Sequence, residues 1–477
     1  MKTLYVTTTL PYVNAEPHIG FALEIVRADI IVRYRTLMGD DVFFNTGTDE
    51  HGLKIFRKAQ EERKDPQVYV DEYAAKFRML KEKLDLLSDL HFIRTTDQHH
   101  MAAAQELWRR CAAKGDIYKK KYKGLYCVGD EAFLKESDLV NGKCPNHPTM
   151  EPVEIEEENY FFKLSAYQDA LLKYLENKDV IVPEWRRQEA INFVKAGLED
   201  FSISLVKEKM PWGVPVPGDN AQVMYVWFDA LTNYISTLGW PEDVDGNFKK
   251  FWENGETLQV AGKDQVRFQS IMWQAMLMSA GIKSTDRIVY NGFITSGGQK
   301  MSKSLGNVID PIALVNECGI DAVRYFLARH VHPFEDSDFT AERFKETYNA
   351  DLANGLGNLV ARIMTLAQTN LSVPIERPEP KGFAKEYSDA LGAYEYNRAL
   401  EYVWGEIQRL DRKIVETEPF KLVKSDFEKG KMLIAELAGE LYMIARMLNP
   451  FMPATNKAIK ETILSNKKPE NLFPRKE

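Results

Sequence analysis

Apolar and polar residues near the N-terminus follow a pattern that predicts strands joined to helices. Residues 4–8 are rich in β-branched and aromatic side chains, which predicts a short buried strand. Apolar residues then recur every three or four positions, as on one face of a helix: Leu23, Val26, Ile30, Tyr34 and Leu37. Further strands are predicted over 41–46 and 91–94. Strands alternating with helices predict a parallel sheet with crossover helices over residues 1–115.

The pattern changes in the middle of the chain. Residues 116–220 combine short strand signals, turns and frequent prolines, which predicts an insertion into the sheet. The strand–helix pattern returns over 221–295, with strands predicted at 223–229, 257–264 and 287–290. Ligands bind at the carboxyl ends of strands in an open parallel sheet. We therefore expect residues 9–10, 47–49 and 262–264 to line one crevice.

Only helical periodicity is visible in the last third of the chain. Apolar residues have helical spacing over 344–369, 383–418 and 427–448, and prolines separate these segments. The pattern predicts an all-α domain over 346–477.

Composition excludes several classes of protein. The 477 residues include 44% hydrophobic and 28% charged side chains, with a net charge of −8, which excludes a general polycation for nucleic acid but not a local basic groove. Four cysteines are too few for a disulfide scaffold. No apolar run is long enough to span a membrane, and residues 1–3 lead into a strand without a signal-peptide pattern. We expect a cytoplasmic location.

Two loops carry residues suited to binding phosphate. The turn that contains Pro17, His18 and Gly20 leads from a strand into a helix, whose first N–H groups would face a ligand. Gly20 has no Cβ, so a ligand could lie against the backbone there. Residues 297–307 hold Lys300, Lys303 and two serines between glycines, a cationic loop that could close over a polyphosphate. Either loop alone is also compatible with an ordinary surface turn.

The two motifs together, in this order on a split α/β sheet, resemble the signatures of class I aminoacyl-tRNA synthetases. Six segments are similar to bacterial members of the methionyl-tRNA synthetase family: TLPYVNAEPHIG, NTGTDEHG, YVWFDALTNY, VAGKD, KMSKSLGN and NADLANGLGNLVARI. The resemblance extends from Met1 to about Asn456. It implies a Rossmann-like parallel sheet split by a connective insertion at 116–220 and completed at 221–295. A lysine loop with a stem-contact region at 296–345 and an all-α anticodon-binding helix bundle at 346–477 would follow.

The resemblance also implies an activity. Such an enzyme converts L-methionine and ATP, supplied with Mg²⁺, to methionyl-adenylate and pyrophosphate, and then transfers methionine to tRNA(Met). Three residues would be catalytic, His18, Lys300 and Lys303, and no protein nucleophile is required. The implied ATP-binding residues are Gly20, Gly262, Lys263, Asp264, Lys300, Ser302 and Lys303.

The implied methionine site combines a carboxylate with an apolar pocket. Asp49 would hold the ammonium group, although an acidic residue here could also cap a helix. The pocket residues implied by the resemblance are Leu10, Tyr12, Trp227, Ala230, Leu231, Tyr234, Phe268 and Gln269. The chain departs from the family at several positions. Gln269 replaces the usual histidine, Leu205 replaces the usual arginine, and Gln265 and Gln274 replace apolar or proline residues.

The insertion carries four residues at the spacing of a zinc knuckle. The candidate ligands are Cys127, Asp130, Cys144 and His147. Relatives with one zinc have cysteine where Asp130 stands, so both an atypical structural zinc site and a metal-free knuckle remain open.

The helical domain carries the implied tRNA contacts. Asn358 and Arg362, four residues apart on one helix face, match positions that read the anticodon in the family. Phe420 stands where the family stacks a tryptophan on an anticodon base. Longer relatives append a further tRNA-binding domain, so we expect a monomer or a separate tRNA-binding protein in trans. Two alternatives stay open: a catalytically weakened tRNA-binding protein, and a class I synthetase for another large apolar amino acid.

Overall fold

The computed structural model describes residues 2–129, 132–134, 136, 139–145, 150–242, 246–301, 306–379 and 382–476; at 122, 132, 133, 155 and 300 it describes only the backbone. The described chain forms two compact units. The first contains Met1–Pro17, Gly39–Lys81 and Ser88–Asn291, and the second contains His18–Met38, Glu82–Leu87 and Gly292–Glu477.

The N-terminal part alternates strands and helices as the periodicity predicted. Its elements are β1 (Thr3–Thr8), α1 (Ile19–Leu37), β2 (Asp41–Thr48), α2 (Leu53–Glu61), α3 (Pro66–Lys83), β3 (His91–Arg94) and α4 (Gln98–Ala113). The central part is richer in short strands: β4 (Ile117–Cys127), β5 (Ala132–Leu134), β6 (Val153–Phe162), α5 (Gln168–Leu175), β7 (Ile181–Val182), α6 (Glu184–Lys195), β8 (Phe201–Ser202), β9 (Ser204–Val206), β10 (Pro215–Val216) and β11 (Asp219–Met224).

The remainder of the first unit returns to strands and helices: α7 (Val226–Leu231), α8 (Asn233–Ser236), β12 (Glu256–Gly262), α9 (Trp273–Ala280) and β13 (Arg287–Asn291). Two π-helical segments, Phe248–Glu253 and Phe268–Met272, lie between these elements. A short 3₁₀ turn, Lys263–Gln265, follows β12.

The second unit continues with β14 (Ile294–Ser296), β15 (Gln299–Lys300), α10 (Pro311–Cys318), α11 (Ile320–Arg329), β16 (Ser337–Phe339) and α12 (Ala341–Thr347). A π-helical segment, Tyr348–Gly357, joins α12 to the C-terminal helices. These are α13 (Asn358–Asn370), α14 (Lys385–Gly392), α15 (Tyr396–Thr417), α16 (Pro419–Ser425), α17 (Phe427–Leu448) and α18 (Pro453–Ser465). The helical character predicted for this part of the chain is confirmed.

A six-stranded sheet forms the centre of the first unit. Its strand order is β3-β2-β1-β12-β13-β7, and all five ladders are parallel. The order reverses between β1 and β12, so the crevice at their carboxyl ends is the topological switch point at which open α/β sheets bind ligands. The predicted α/β class and parallel sheet are confirmed.

One predicted strand is wrong. Residues 223–229 were expected to form a strand of the main sheet, but β11 ends at Met224 in a small antiparallel sheet and α7 begins at Val226. The run of β-branched and aromatic residues favours a strand locally. Burial of nearly every side chain of the short helix overrides this preference.

The insertion is also less continuous than expected. Its four-stranded sheet has the order β5-β4-β6-β8, and its three-stranded sheet the order β10-β11-β9. Residues 181–182, inside the expected range 116–220, instead form β7, which pairs with β13 at the edge of the main sheet. The neighbouring helices α5 and α6 bury Leu171, Leu175, Ala190 and Val194 in the same core cluster as the main sheet. A two-residue strand carries too little periodicity to be recognised from the sequence.

Buried arginines fix α1 within the second unit. Arg324 of α11 donates to Asp29 of α1 at 2.6 Å, and both side chains are fully buried. Arg27 of α1 donates to the carbonyls of Pro333 and Val331, each at 2.9 Å. Burial lowers the pKa of Arg27 to about 10. Among the described residues, no helix combines the length and apolar character needed to cross a bilayer.

Candidate active site

Asp49 lies beside the segment that follows β1. Its N–H donates to the carbonyl of Pro11 at 3.0 Å, and the N–H of Val13 donates to the carbonyl of Asp49 at 3.2 Å. These bonds pair Asp49 with Tyr12 as an isolated parallel bridge. Asp49 is 2% exposed. The structure therefore brings the predicted ammonium-binding carboxylate next to the predicted aromatic residue Tyr12 at the carboxyl end of the sheet.

The next residue anchors this turn. The carboxylate of Glu50 accepts two hydrogen bonds from Arg94, at 2.7 and 2.8 Å, and others from hydroxyl groups of Thr48 and Thr96. The indole N–H of Trp212 donates to the carbonyl of Glu50 at 2.6 Å. Bidentate pairing with arginine holds a carboxylate in one orientation. The backbone that carries Asp49 is therefore fixed before any substrate binds. Glu50 and Arg94 are 44 residues apart in the sequence, and neither was predicted to belong to the site.

Three aromatic rings form one side of the predicted methionine pocket. Trp227 and Phe268 are stacked with ring centroids 3.8 Å apart, and Tyr12 meets Trp227 edge-on at 6.3 Å. Trp227 and Ala230 lie on α7, and Ala230 and Leu231 are buried. Leu10 is half-buried after β1. These residues form an apolar, aromatic wall of the kind that suits a flexible thioether side chain.

Gln269 is fully buried against the same wall. Its Nε2 donates to the hydroxyl of Tyr234 at 2.5 Å, while its Oε1 has no hydrogen-bond partner among the described residues. The carbonyl of Gln269 accepts a bond at 2.9 Å from the amide of Gln274, which also donates to Thr285. Gln274 therefore holds the π-helical turn that presents Phe268 and Gln269.

Leu205 contributes packing where the family usually has a charge. It pairs with Val223 between β9 and β11 and is 3% exposed. It belongs to an apolar cluster against which Tyr12 and Trp227 pack. Leu205 therefore belongs to the apolar layer on which Tyr12 and Trp227 of the aromatic wall pack.

The segment predicted to contact adenosine follows β12. Gly262 ends the strand and precedes the 3₁₀ turn that contains Lys263 and Asp264. Lys263 is half-buried and Asp264 is exposed. β12 is the direct neighbour of β1, so this segment and Leu10 follow adjacent strands of the switch point.

His18, in the second unit, caps the N-terminus of α1. Its Nδ1 accepts a hydrogen bond from the N–H of Gly20 at 3.1 Å, which places the proton of the neutral ring on Nε2. Part of the ring is open to solvent, yet desolvation by the surrounding protein lowers the pKa of His18.

The first N–H groups of α1 were expected to face a ligand, but in the structure they donate to acceptors of the protein. The N–H of Ile19 donates to the carbonyl of Ile309 at 3.0 Å, and those of Phe21 and Ala22 donate to His18. A Cβ at Gly20 would lie 2.8 Å from the His18 ring, so this ring occupies the space that we had assigned to a ligand. In this state the donor that α1 offers to a phosphate is Nε2–H of His18, because the backbone groups already have acceptors.

The predicted lysine loop begins on a hairpin. β14 and β15 are joined by Gly297 and Gly298, whose φ angles of 62° and 73° are those of a two-residue type I′ turn. The carboxylate of Asp338 accepts from the N–H of Gly298 and the hydroxyl of Thr295, each at 2.8 Å. Lys300 is the last residue of β15. Ser302 and Lys303 lie outside the described residues.

The predicted zinc knuckle is described only in part. Cys127, at the end of β4, is 2% exposed, and Cys144 is 1% exposed. Two buried thiols fit half of a tetrahedral structural site. Asp130 and His147 lie outside the described residues, and in the described part of the chain no group of three or more His, Cys, Asp or Glu side chains is arranged so that it could hold a metal ion.

The predicted anticodon residues lie in the helical part of the second unit. Asn358 begins α13 and is exposed, and Arg362 forms an ion pair with Asp411 of α15. Phe420 lies on α16 and is 45% exposed. An aromatic ring this exposed is available for stacking on a base.

Comparison with known proteins identifies the family. The model for "tRNA synthetases class I (M)" matches residues 4–152 and 147–364. A methionine–tRNA ligase of Caldanaerobacter subterraneus subsp. tengcongensis is 41% identical over 97% of this chain and 74% of its own length. That of Rhizobium meliloti is 41% identical over 94% of this chain and 89% of its own length.

A solved structure agrees over the whole chain. Mycobacterium tuberculosis methionyl-tRNA synthetase, in complex with methionyl-adenylate, has a TM-score of 0.91, 37% identity and full coverage of both chains. The same enzyme in its apo form gives a TM-score of 0.84. Together with the switch-point pocket, these matches show that the chain belongs to the methionyl-tRNA synthetase family of class I tRNA synthetases.

Proposed function

We propose that this protein is an ATP-dependent methionine–tRNA ligase. It activates L-methionine to methionyl-adenylate and then transfers the methionyl group to the 3′ end of tRNA(Met). The observation that supports this best is the backbone bridge that places the buried residue Asp49 beside Tyr12, next to the stacked rings of Trp227 and Phe268. A carboxylate that can bind an ammonium group, next to an aromatic pocket that can accept an unbranched side chain, suits methionine.

The first step requires positioning and charge stabilisation. Asp49 binds the substrate ammonium, and the wall formed by Tyr12, Trp227, Ala230, Leu231, Tyr234 and Phe268 with Leu10 and Gln269 holds the thioether. A carboxylate oxygen of methionine attacks the α-phosphorus of ATP. The bond from that phosphorus to the bridging oxygen breaks, and pyrophosphate leaves with the electron pair.

The ATP contacts are assigned on each unit separately. In the first unit, Gly262, Lys263 and Asp264 contact adenosine. In the second unit, His18 donates from Nε2 to a phosphate oxygen, and Gly20 keeps the ring in place. Lys300, Ser302 and Lys303 contact the triphosphate and stabilise the charge that develops on pyrophosphate. Mg²⁺ arrives with ATP as part of the substrate.

In the second step, a ribose hydroxyl of the terminal adenosine attacks the carbonyl carbon of methionyl-adenylate, and AMP leaves. Asn358 and Arg362 read the anticodon, and Phe420 stacks on one of its bases. The pairing of Arg362 with Asp411 must be exchanged for nucleotide contacts when tRNA binds.

A structural zinc ion is proposed for the knuckle, held by Cys127, Asp130, Cys144 and His147. The ion would link neighbouring turns of the insertion and would take no part in catalysis. Elemental analysis of the purified protein tests this: one zinc per chain supports the site, and its absence excludes it. A cytoplasmic location is proposed from the low cysteine content and from the tRNA substrate.

The alternative functions are not favoured. The relatives described above are methionine ligases matched over nearly all of this chain, which argues against a synthetase for another amino acid and against a non-catalytic descendant. Charging of tRNA(Met) with labelled methionine tests the proposal directly, with Asp49→Asn as the variant. Loss of charging in this variant with unchanged tRNA affinity is expected. If the Asp49→Asn variant charged tRNA(Met) at the wild-type rate, the proposed role of Asp49 would be contradicted.

A further inference from the structure

A fully buried carboxylate on α7 lies between two imidazole rings. Oδ2 of Asp229 is 2.6 Å from Nδ1 of His51, and Oδ1 is 2.9 Å from Nε2 of His100. None of the roles assigned above uses these three residues. An ionised carboxylate in the interior is stable only when its oxygens accept hydrogen bonds, and here each oxygen accepts one from a different ring.

The charge state of Asp229 follows from this geometry. Burial alone would raise its pKa, but His51 and His100 outweigh that effect and lower the pKa to about 2. The carboxylate is therefore ionised and can only accept. The ring nitrogens that face the carboxylate, Nδ1 of His51 and Nε2 of His100, therefore donate to it. Nδ1 of His100 is hydrogen-bonded to the hydroxyl of Ser236 at 2.9 Å.

One side of this cluster is the ammonium-binding turn. His51 is two residues from Asp49, and the intervening Glu50 is fixed by Arg94. The ring of His51 also packs against Trp212, with centroids 5.6 Å apart. A change in the His51 ring would therefore be transmitted to Asp49 through a very short backbone segment.

The other side is the aromatic wall. Asp229 lies on α7 between Trp227 and Ala230, both assigned to the methionine pocket. Its second partner, His100, lies on α4, and Ser236 lies on α8, so the wall is also connected to two neighbouring helices. The bond between Asp229 and His51 spans 178 residues of sequence and joins the two halves of the methionine site directly.

We propose that Asp229 is a positioning residue that, through His51 and His100, sets the separation between the ammonium-binding turn and the aromatic wall of the methionine site. This inference rests on the proposed function. Because no member of the cluster is assigned to ATP, its loss should weaken methionine binding selectively. A cluster that served only global stability would have no such selectivity.

Substitutions at His51 and Asp229 test this by methionine-dependent ATP–pyrophosphate exchange. His51→Leu removes the donor to Asp229, whereas His51→Asn places an amide N–H close to the position of Nδ1. We expect His51→Leu and Asp229→Asn to raise KM for methionine at least about tenfold, because each breaks a buried charge-assisted hydrogen bond. KM for ATP should change less than about threefold, and His51→Asn should recover most of the methionine affinity.

Asp116→Asn is the matched control. Asp116 is a buried aspartate of the same unit that accepts from Tyr167 and Ser279, at 2.5 and 2.7 Å, and no methionine-pocket residue is among these partners. The Asp116→Asn substitution should lower the melting temperature of the protein without raising KM for methionine.

Three outcomes would overturn the inference. These are an unchanged methionine KM in both disruptive variants, an equal rise in both KM values, or no recovery by His51→Asn. If Asp229→Asn does not fold, the two His51 variants still decide the question. Wild-type protein without exchange would overturn the proposed function together with this inference. If the wild-type protein catalyses exchange but the disruptive variants show no selective rise in KM for methionine over KM for ATP, only the inference is overturned.

Discussion

Nε2 of Gln269 donates to the hydroxyl of Tyr234 at 2.5 Å, inside the pocket assigned to the methionine side chain. The family usually has histidine at this position, where this chain has glutamine. The second N–H of the amide is the group able to donate to a thioether sulfur, because the sulfur accepts but cannot donate. We therefore predict that Gln269 helps to distinguish methionine from a hydrocarbon side chain.

Gln269→Leu should reduce this discrimination. The substitution removes both amide donors, so kcat/KM for methionine should fall about tenfold. Norleucine has no sulfur, and its kcat/KM should fall less. Pyrophosphate exchange with each amino acid measures the ratio. Gln222→Leu is the control, since this buried glutamine bonds to Ser204 and Glu158 of the insertion; it should leave the ratio unchanged.

Gly20→Ala should impair the use of ATP. The new Cβ would lie 2.8 Å from Cε1 and 3.0 Å from Nδ1 of His18, so the ring must leave its capping position. We expect exchange activity to fall at least about tenfold with a raised KM for ATP, because a displaced donor no longer meets the phosphate. Gly405→Ala, in the interior of α15 with open space around it, should instead stabilise the protein by about 0.5–1 kcal/mol. Equal activity of the two variants would contradict the role of His18.

Asp338→Ala should slow the chemical step. Asp338 holds the Gly297–Gly298 turn at the base of the lysine loop, so its loss frees the hairpin that carries Lys300. The expected result is a decrease of about tenfold in kcat for exchange. KM for methionine should be unchanged. Asp426→Ala removes another carboxylate that accepts a backbone N–H, at the N-cap of α17, and should cost only about 1 kcal/mol of stability. A normal kcat in Asp338→Ala would show that the hairpin needs no such anchor.

The pH dependence of stability should reveal the ionised state of Asp229. Its folded-state pKa of about 2 lies below the ordinary value of 3.8, so ionised Asp229 stabilises the fold fully above about pH 4. The contribution, about 2 kcal/mol, is lost as the pH falls from 4 towards 2. The difference in melting temperature between wild type and Asp229→Asn should therefore narrow over this range. A difference that stays constant down to pH 3 would mean that Asp229 is not held ionised.

Local sequence signals predicted the elements well. β1, β3 and α17 begin or end within one residue of the expected positions, because a clear run of strand or helix residues is followed there by polar turn residues or a proline. The motif residues His18 and Asp49 also lie where strand–turn–helix logic puts them. Where the signal was short or ambiguous, the prediction failed: β7 was not predicted, and residues 223–229 were predicted as a strand although a helix begins at Val226.

Long-range relationships could not be predicted. Asp229 and His51 are 178 residues apart, and nothing in the composition around either residue indicates that they form a buried hydrogen bond. The bond from Gln274 to the carbonyl of Gln269 joins residues only five apart, but it could not be predicted either, since it depends on a π-helical turn. The N–H of Ile19 at the start of α1 donates to the carbonyl of Ile309, which lies far along the chain.

ATP–pyrophosphate exchange by the wild-type protein across a panel of amino acids tests the proposed methionine activation most directly. The panel should include methionine, homocysteine, norleucine, leucine, isoleucine and valine. We predict exchange with methionine at a kcat/KM above that of every other member of the panel, at least about tenfold over norleucine. Absence of methionine-dependent exchange, or a higher kcat/KM for a branched apolar amino acid, would contradict this prediction.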